Sequence, residues 1–298
     1  MAICFNPPNK FGGNLCRSVT NSLMAERNLT FRPPPQRKAL RNGGEKMNNG
    51  LWTSVKDNVV FVLVSVGVAA ALFLIAYLAE KLIQKKNGDT ERILTTRKIA
   101  MIGVFSAISA VLMLFEFPVP FAPSFYELDF SEIPALIGTF AFGPVAGVMI
   151  EFCKILLKLL MKGTGTAFVG DLANFVIGCS FILPASIIYM FKKTKTNAII
   201  ASIVGTLIMS VFGTAFNAVY LLPAFAALYG MPLDTIVSMG TAVNGSITSV
   251  TTLVLFAVAP LNLLKGGSVS LITVVVYKKL SPILKEGSIR KRSVETVK

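Results

Sequence analysis

The chain has 298 residues, 53% of them hydrophobic, and its 29 Lys and Arg against 15 Asp and Glu give a net charge of +14 at pH 7. A mean hydropathy of +0.67 is too high for an ordinary soluble domain, and the complete lack of His excludes His-based catalysis and His metal sites. The basic residues crowd into 10–46, 81–98, 192–195 and 278–298, beside apolar runs and without interleaved aromatics, so the charge points to an anionic membrane surface and not to nucleic acid.

Residues 1–46 are basic, broken by Pro7, Pro8 and Pro33 to Pro35, and lack both an apolar period and a signal-peptide core; they are expected to be a disordered N-terminal extension. Met47 opens MNNGLWTSVKDNVV directly before the first apolar run and reads as a natural start, with residues 1–46 absent from the working protein. Residues 59–79 carry no charge and are long enough to cross a hydrocarbon core of about 30 Å. This leader helix is followed by Lys81, Lys85, Lys86, Arg92, Arg97 and Lys98, and positive-inside bias places that side in the cytoplasm.

Six further helices are predicted. The first, about 99–116, has Gly103 with Ala107 and Ser106 with Ala110 at four-residue spacing, a small-residue face suited to close helix contact. An outer loop at 117–131 contains Pro118, Pro120 and Pro123 but no Lys or Arg. Helices at about 133–143 and 146–161 flank the break Gly143-Pro144, and a fourth, about 170–190, ends in Phe191-Lys192-Lys193-Thr194-Lys195. The fifth, about 198–222, is expected to stop near Pro223. Residues 246–257 read as a re-entrant or interfacial helix, and a last span covers about 259–278, its basic tail cytoplasmic. The organisation is therefore an extension (1–46), an extra span with a basic linker (47–96), a six-helix membrane domain (97–285) and a basic tail (286–298).

Several polar groups interrupt these apolar segments, where a charge facing lipid costs about 2.5–3.5 kcal/mol. Lys154, Lys158 and Lys162 share one helix face with Glu151. They either snorkel and pair or line a polar cavity. Asp129 and Glu132 fit a helix start, with Ser131 or Asp129 as cap and Pro134 in the first turn; an acid/base couple is the alternative. GTGT at 163–166 does not extend to a nucleotide P-loop, for no Gly-Lys-Ser/Thr string occurs. It leaves a small-residue turn ahead of Asn174, whose amide can donate and accept. Asn217, and Asn262 with Lys265 three residues on, either glue helices together or converge on one site. Cys4, Cys16, Cys153 and Cys179 lack metal-ligand or CxxC spacing and read as small hydrophobes or free thiols. HExxH, GxSxG and a Cys–His pair are all absent, so no catalytic or metal residues are assigned.

The strings DFSEIPALIGTFAFGPVAGVMIEFCKILLK (129–158), GTGTAFVGDLANFVIG (163–178), FNAVYLLP (216–223) and NLLKGGSVSLITVVVYKKLSPIL (262–284) resemble the riboflavin-binding S component of bacterial energy-coupling factor (ECF) transporters. The resemblance implies an all-α, multi-pass protein of the bacterial cell membrane: a six-helix S-component-like bundle, here with an additional N-terminal transmembrane helix. It implies capture of riboflavin from outside and delivery inward with a membrane scaffold subunit and two cytoplasmic ATPases, riboflavin being the transported ligand and no cofactor being required. By the same resemblance, Asn217, Asn262 and Lys265 would hydrogen-bond the flavin or its ribityl chain. Asn174 and the turn with Thr166 and Gly170 would add polar contacts, Phe125, Tyr126 and Leu128 would close over the ring, and Gly103, Ser106, Ala107 and Ala110 would meet the scaffold. The family's pattern is departed from at Glu127, where a basic residue is common, and at Ile155, where Asn is common. Alternatives are an S component for another vitamin or small metabolite, an intramembrane enzyme built on Asp129, Glu132 and Asp171, and an assembly subunit whose lysine face meets a partner.

Overall fold

The computed structural model describes residues 59–88, 92–123, 125–164, 166 and 168–276. The expectations for residues 1–46, the start at Met47 and the tail 286–298 lie outside the described residues. What is described is a helical membrane protein in which five helices are long and apolar enough to cross a bilayer.

Helix α1 (Val59–Asn87) is the leader. It lays Val68, Ala69, Leu72, Phe73 and Ala76 against a cluster that includes Val145, Val148, Phe175 and Val176. Its other side exposes Leu63, Val66, Leu74, Ile75 and Leu78, as a lipid-facing helix should. Glu80, near the end of this helix, is buried. Its carboxylate accepts from the Val145 backbone N–H at 3.0 Å and lies 3.7 Å from Lys98 Nζ. The orphan N–H groups at a helix start attract an acid, and this one comes from a different helix.

Helix α2 (Thr96–Met113) begins at Thr95, whose side chain accepts from Lys98 N–H. A two-residue antiparallel ladder follows, with β1 (Phe117–Pro118) paired to β2 (Glu127–Leu128), and it folds the outer loop back on itself. Helix α3 (Glu132–Phe142) and helix α4 (Pro144–Lys162) meet at Gly143, whose φ of 104° only glycine adopts readily. Eleven residues rise about 16 Å, half a bilayer core, so α3 is protected by α2, α4 and α5, which pack against it.

Helix α5 (Val169–Phe191) is the central element, buried over most of its length. Helix α6 (Lys195–Tyr229) and helix α8 (Val250–Val276) correct two boundaries. Pro223 does not end α6, and residues 246–257 are not a separate re-entrant helix but include the first turns of α8. In each case a π turn precedes the proline. Leu222 N–H reaches back to the Asn217 carbonyl across Asn217–Leu221 before Pro223, and Ala259 N–H reaches back to Val254 across Val254–Val258 before Pro260. The wider turn absorbs the disruption that a proline ring imposes on a regular ladder. The short helix α7 (Leu233–Thr241) links α6 to α8, whose start carries a capping box between Ser249 and Thr252.

Candidate ligand site

The N-terminal ends of α5 and α8, the C-terminal part of α6 and the loop before α3 form one apolar cluster. Phe125, Tyr126 and Leu128 of the loop pack with Val169 and Ala173 of α5, Leu221 of the first π turn, and Val254, Ala257 and Val258 of the second. The structure thus gathers the predicted aromatic and aliphatic loop residues at the two π turns, irregularities that recur at functional sites.

Asn217 and Asn262 both lie against Gly213 inside this end of the bundle, and both are fully buried. Asn217 donates its amide to the Gly213 carbonyl at 2.7 Å and accepts from Tyr126 Oη at 3.4 Å. Asn262 packs on the same glycine, where a Cβ would lie 2.8 Å from its Nδ2. Neither Nδ2 nor Oδ1 of Asn262 has a hydrogen-bond partner among the described residues. Leaving a buried amide unsatisfied costs about 1–3 kcal/mol, so this donor–acceptor pair is held ready at a price in stability, as a recognition site requires. Gly213 was missed in the sequence. Its signal was there in its position one turn before Asn217, where a residue without a side chain leaves room for the Asn262 amide.

Lys265, one turn beyond Asn262, is buried and paired with Asp129 at 2.9 Å and Glu132 at 3.1 Å. Glu132 also bonds Lys154, and Lys154 reaches Glu151 at 2.7 Å and Ser131 Oγ at 3.1 Å. Gly178 of α5 admits the Glu151 carboxylate, which any Cβ there would strike. This corrects the reading of Asp129 and Glu132 as merely a surface helix start. Asp129 does accept from Ser131 N–H at 2.9 Å, but both carboxylates are buried and bind lysines from α4 and α8. Burial alone would raise the Asp129 carboxyl; the Lys265 ammonium outweighs it and holds Asp129 below the usual carboxylate range. Of the lysine face on α4, Lys154 and Lys158 turn inward, the latter onto Asp171 at 2.6 Å. Lys162 reaches Glu116 at 2.5 Å. Asp129, Glu132 and Asp171 are each committed to a lysine, an arrangement that suits structure better than proton transfer.

The turn before α5 is held by two threonine hydroxyls. Thr166 Oγ1 accepts from Gly170 N–H at 3.1 Å and Thr164 Oγ1 from Phe168 N–H at 2.9 Å. Thr166 and Gly170 therefore serve each other at the helix start, and Asn174 lies one turn further in, buried on α5. On α2, Gly103 and Ala107 face outward, whereas Ser106 and Ala110 are buried in the chain's own core. Cys153 and Cys179 are free thiols.

Residues 97–277 match the family described as ECF transporter, substrate-specific component. The chain is 34% identical over 189 residues to the riboflavin transporter RibU of Staphylococcus aureus (strain TCH60), spanning 63% of this chain and 93% of that protein. It is 29% identical over 191 residues to the riboflavin transporter FmnP of Bacillus subtilis (strain 168), spanning 64% and 95%. A solved structure of the S component of a bacterial ECF transporter is similar with a TM-score of 0.51 and 34% identity, covering 63% of this chain and 98% of that one. Helix α1 precedes the matched residues.

Proposed function

Because the chain belongs to the family of ECF transporter substrate-specific components, a family of transporters and not of enzymes, we propose that it captures riboflavin outside the cell and passes it inward with an energy-coupling module. The observation that carries this reading is the buried Asn262 amide without a partner, beside Asn217 and under an apolar, aromatic-rich loop. A flat heterocycle offers one polar edge to two amides and two apolar faces to Tyr126, Leu128 and their neighbours. The relatives named as riboflavin transporters span nearly their whole length in the match, which supports the flavin as that heterocycle. Lys265 has three N–H donors, and two serve Asp129 and Glu132. The third is available to the ribityl chain or the ring carbonyls. Asn174, Phe125 and the turn of Thr166 and Gly170 complete the wall.

Delivery needs partners, since the chain has no nucleotide-binding string. The proposed module is a membrane scaffold subunit with two cytoplasmic ATPases. Gly103 and Ala107, exposed on α2, supply the close-approach surface for the scaffold. Ser106 and Ala110 support that helix from within. The basic ends at Arg97 and Lys98 and at Lys192, Lys193 and Lys195 face the cytoplasm by the positive-inside rule, the loop 117–131 faces outward, and α8 runs inward to a cytoplasmic C-terminus. Titration of the purified protein with riboflavin, followed by quenching of flavin fluorescence, tests the reading. Saturable one-to-one binding that competing vitamins do not displace is expected; no quenching at micromolar concentrations would overturn it.

A further inference from the structure

Away from the ligand site, α6 and α8 part to leave a groove of about 370 Å³ lined by Ile199, Ile203, Leu207, Gly267, Leu271 and Val274, among others. Its shape follows from two neighbouring glycines. At Gly266 the helices touch, for a Cβ would lie 2.7 Å from Thr206 Cγ2, whereas a Cβ at Gly267 would meet nothing within 4 Å. Two of the hydroxyls at its floor are turned on the protein itself, Thr206 to Ser270 at 3.0 Å and Ser270 to the Ser202 carbonyl at 3.3 Å, and the third, Ser202 Oγ, is buried. An apolar trough is left, about 12 Å long over the eight residue steps from Ile199 to Leu207.

The mouth of this trough is basic. Lys195, Ile199 and Ile203 follow one another at four-residue spacing, so Lys195 stands one turn above the trough on the same face of α6. It is exposed and makes no ion pair among the described residues. Lys192 and Lys193 are exposed on the turn before it. Between Lys192 and Val276 the sole acidic residue is Asp234 of α7, beyond the other end of α6. A cation with no anion of its own above an apolar slot is complementary to a phosphate carrying a hydrocarbon tail.

We infer that this groove is a binding site for one anionic phospholipid, its acyl chain lying between Ile203 and Leu271 and its phosphate meeting Lys195. The site rests on the orientation proposed above, which puts Lys195 at the cytoplasmic leaflet where anionic lipids provide the partner; it does not depend on the flavin assignment.

Native mass spectrometry of the protein released from nanodiscs of equal phosphatidylglycerol and phosphatidylcholine tests it, using wild type, Lys195→Glu and Gly267→Leu. Wild type should retain one phosphatidylglycerol in preference. Lys195→Glu should cut the ratio of the two lipids about fivefold, the equivalent of about 1 kcal/mol per basic group near an anionic surface. Gly267→Leu, which fills the trough, should release both lipids. Wild-type retention in the ratio of the bulk bilayer would overturn the site, as would a ratio unmoved by Lys195→Glu, whose exposed position leaves the fold intact. Loss of scaffold co-purification by Gly267→Leu with lipid retention unchanged would assign the groove to a partner helix and equally overturn it. Riboflavin titration of the same samples reports the flavin reading separately.

Discussion

Gly213 of α6 and Asn262 of α8 stand so close that one methyl group on the glycine would come within 2.8 Å of the asparagine amide. The obstructed atom is the end of a side chain, so the helices can stay where they are while the amide swings aside. Gly213→Ala is therefore expected to fold normally and to weaken riboflavin binding by about 1–3 kcal/mol, one buried hydrogen bond. Fluorescence titration beside a thermal melt in detergent checks this. A fall in melting temperature with unchanged affinity would mean the amide does not meet the ligand.

Asn262 offers the opposite separation. Its amide is buried without partners among the described residues, and leucine has nearly its shape without polar atoms. Asn262→Leu is expected to hold or raise the melting temperature while riboflavin binding is lost. Such a trade is usual where a site is kept polar for a ligand. Asn262→Ala should also lose binding, at an added cost from the small void.

Lys265 lies between two carboxylates inside the bundle. Lys265→Met leaves Asp129 without its cation and should cost about 3–5 kcal/mol, the usual penalty for orphaning a buried charge. Removing the charge on the other side as well, with Lys265→Met and Asp129→Asn together, should recover part of that loss, measured by denaturation in detergent. Flavin affinity should not recover in the double variant, since the lysine's third donor is still missing. A double variant no more stable than the single one would show that the pair is not what holds α8 to the loop before α3.

Glu80 ties the leader helix to the helices that follow it, through the Val145 N–H and Lys98. Glu80→Ala should lower stability by about 1–2 kcal/mol, the range for a charged group at a helix start, and leave riboflavin affinity unchanged. The melting temperature and the titration curve together check it. A loss of affinity would place the leader in the path of the ligand.

The membrane spans, the leader and the short α3 were legible because each depends on local patterning: charge-free runs and the Gly143-Pro144 break. What the sequence concealed depends on distant partners. Asp129 looked like a cap because its lysine is 136 positions away, and Glu80 drew no role because the N–H it accepts from lies 65 positions on. Pro223 looked like a helix end because a regular α-helix excludes proline; nothing local reveals that a π turn will precede it.

Those two π turns set where the transport helices can change length. Each takes up one residue more than an α turn would need, and one residue of α-helix is about 100° of rotation. Deleting a single residue within Val254–Val258 would keep Asn262 facing Gly213, but would set Pro260 in an ordinary helical turn at a cost of about 3 kcal/mol. The same deletion one turn later, with no slack to draw on, would swing Asn262 and Lys265 by that angle toward the lipid. In α6 the turn Asn217–Leu221 stands before Pro223 in the same way, so in both helices the facing of the residues beyond the turn is tied to a proline.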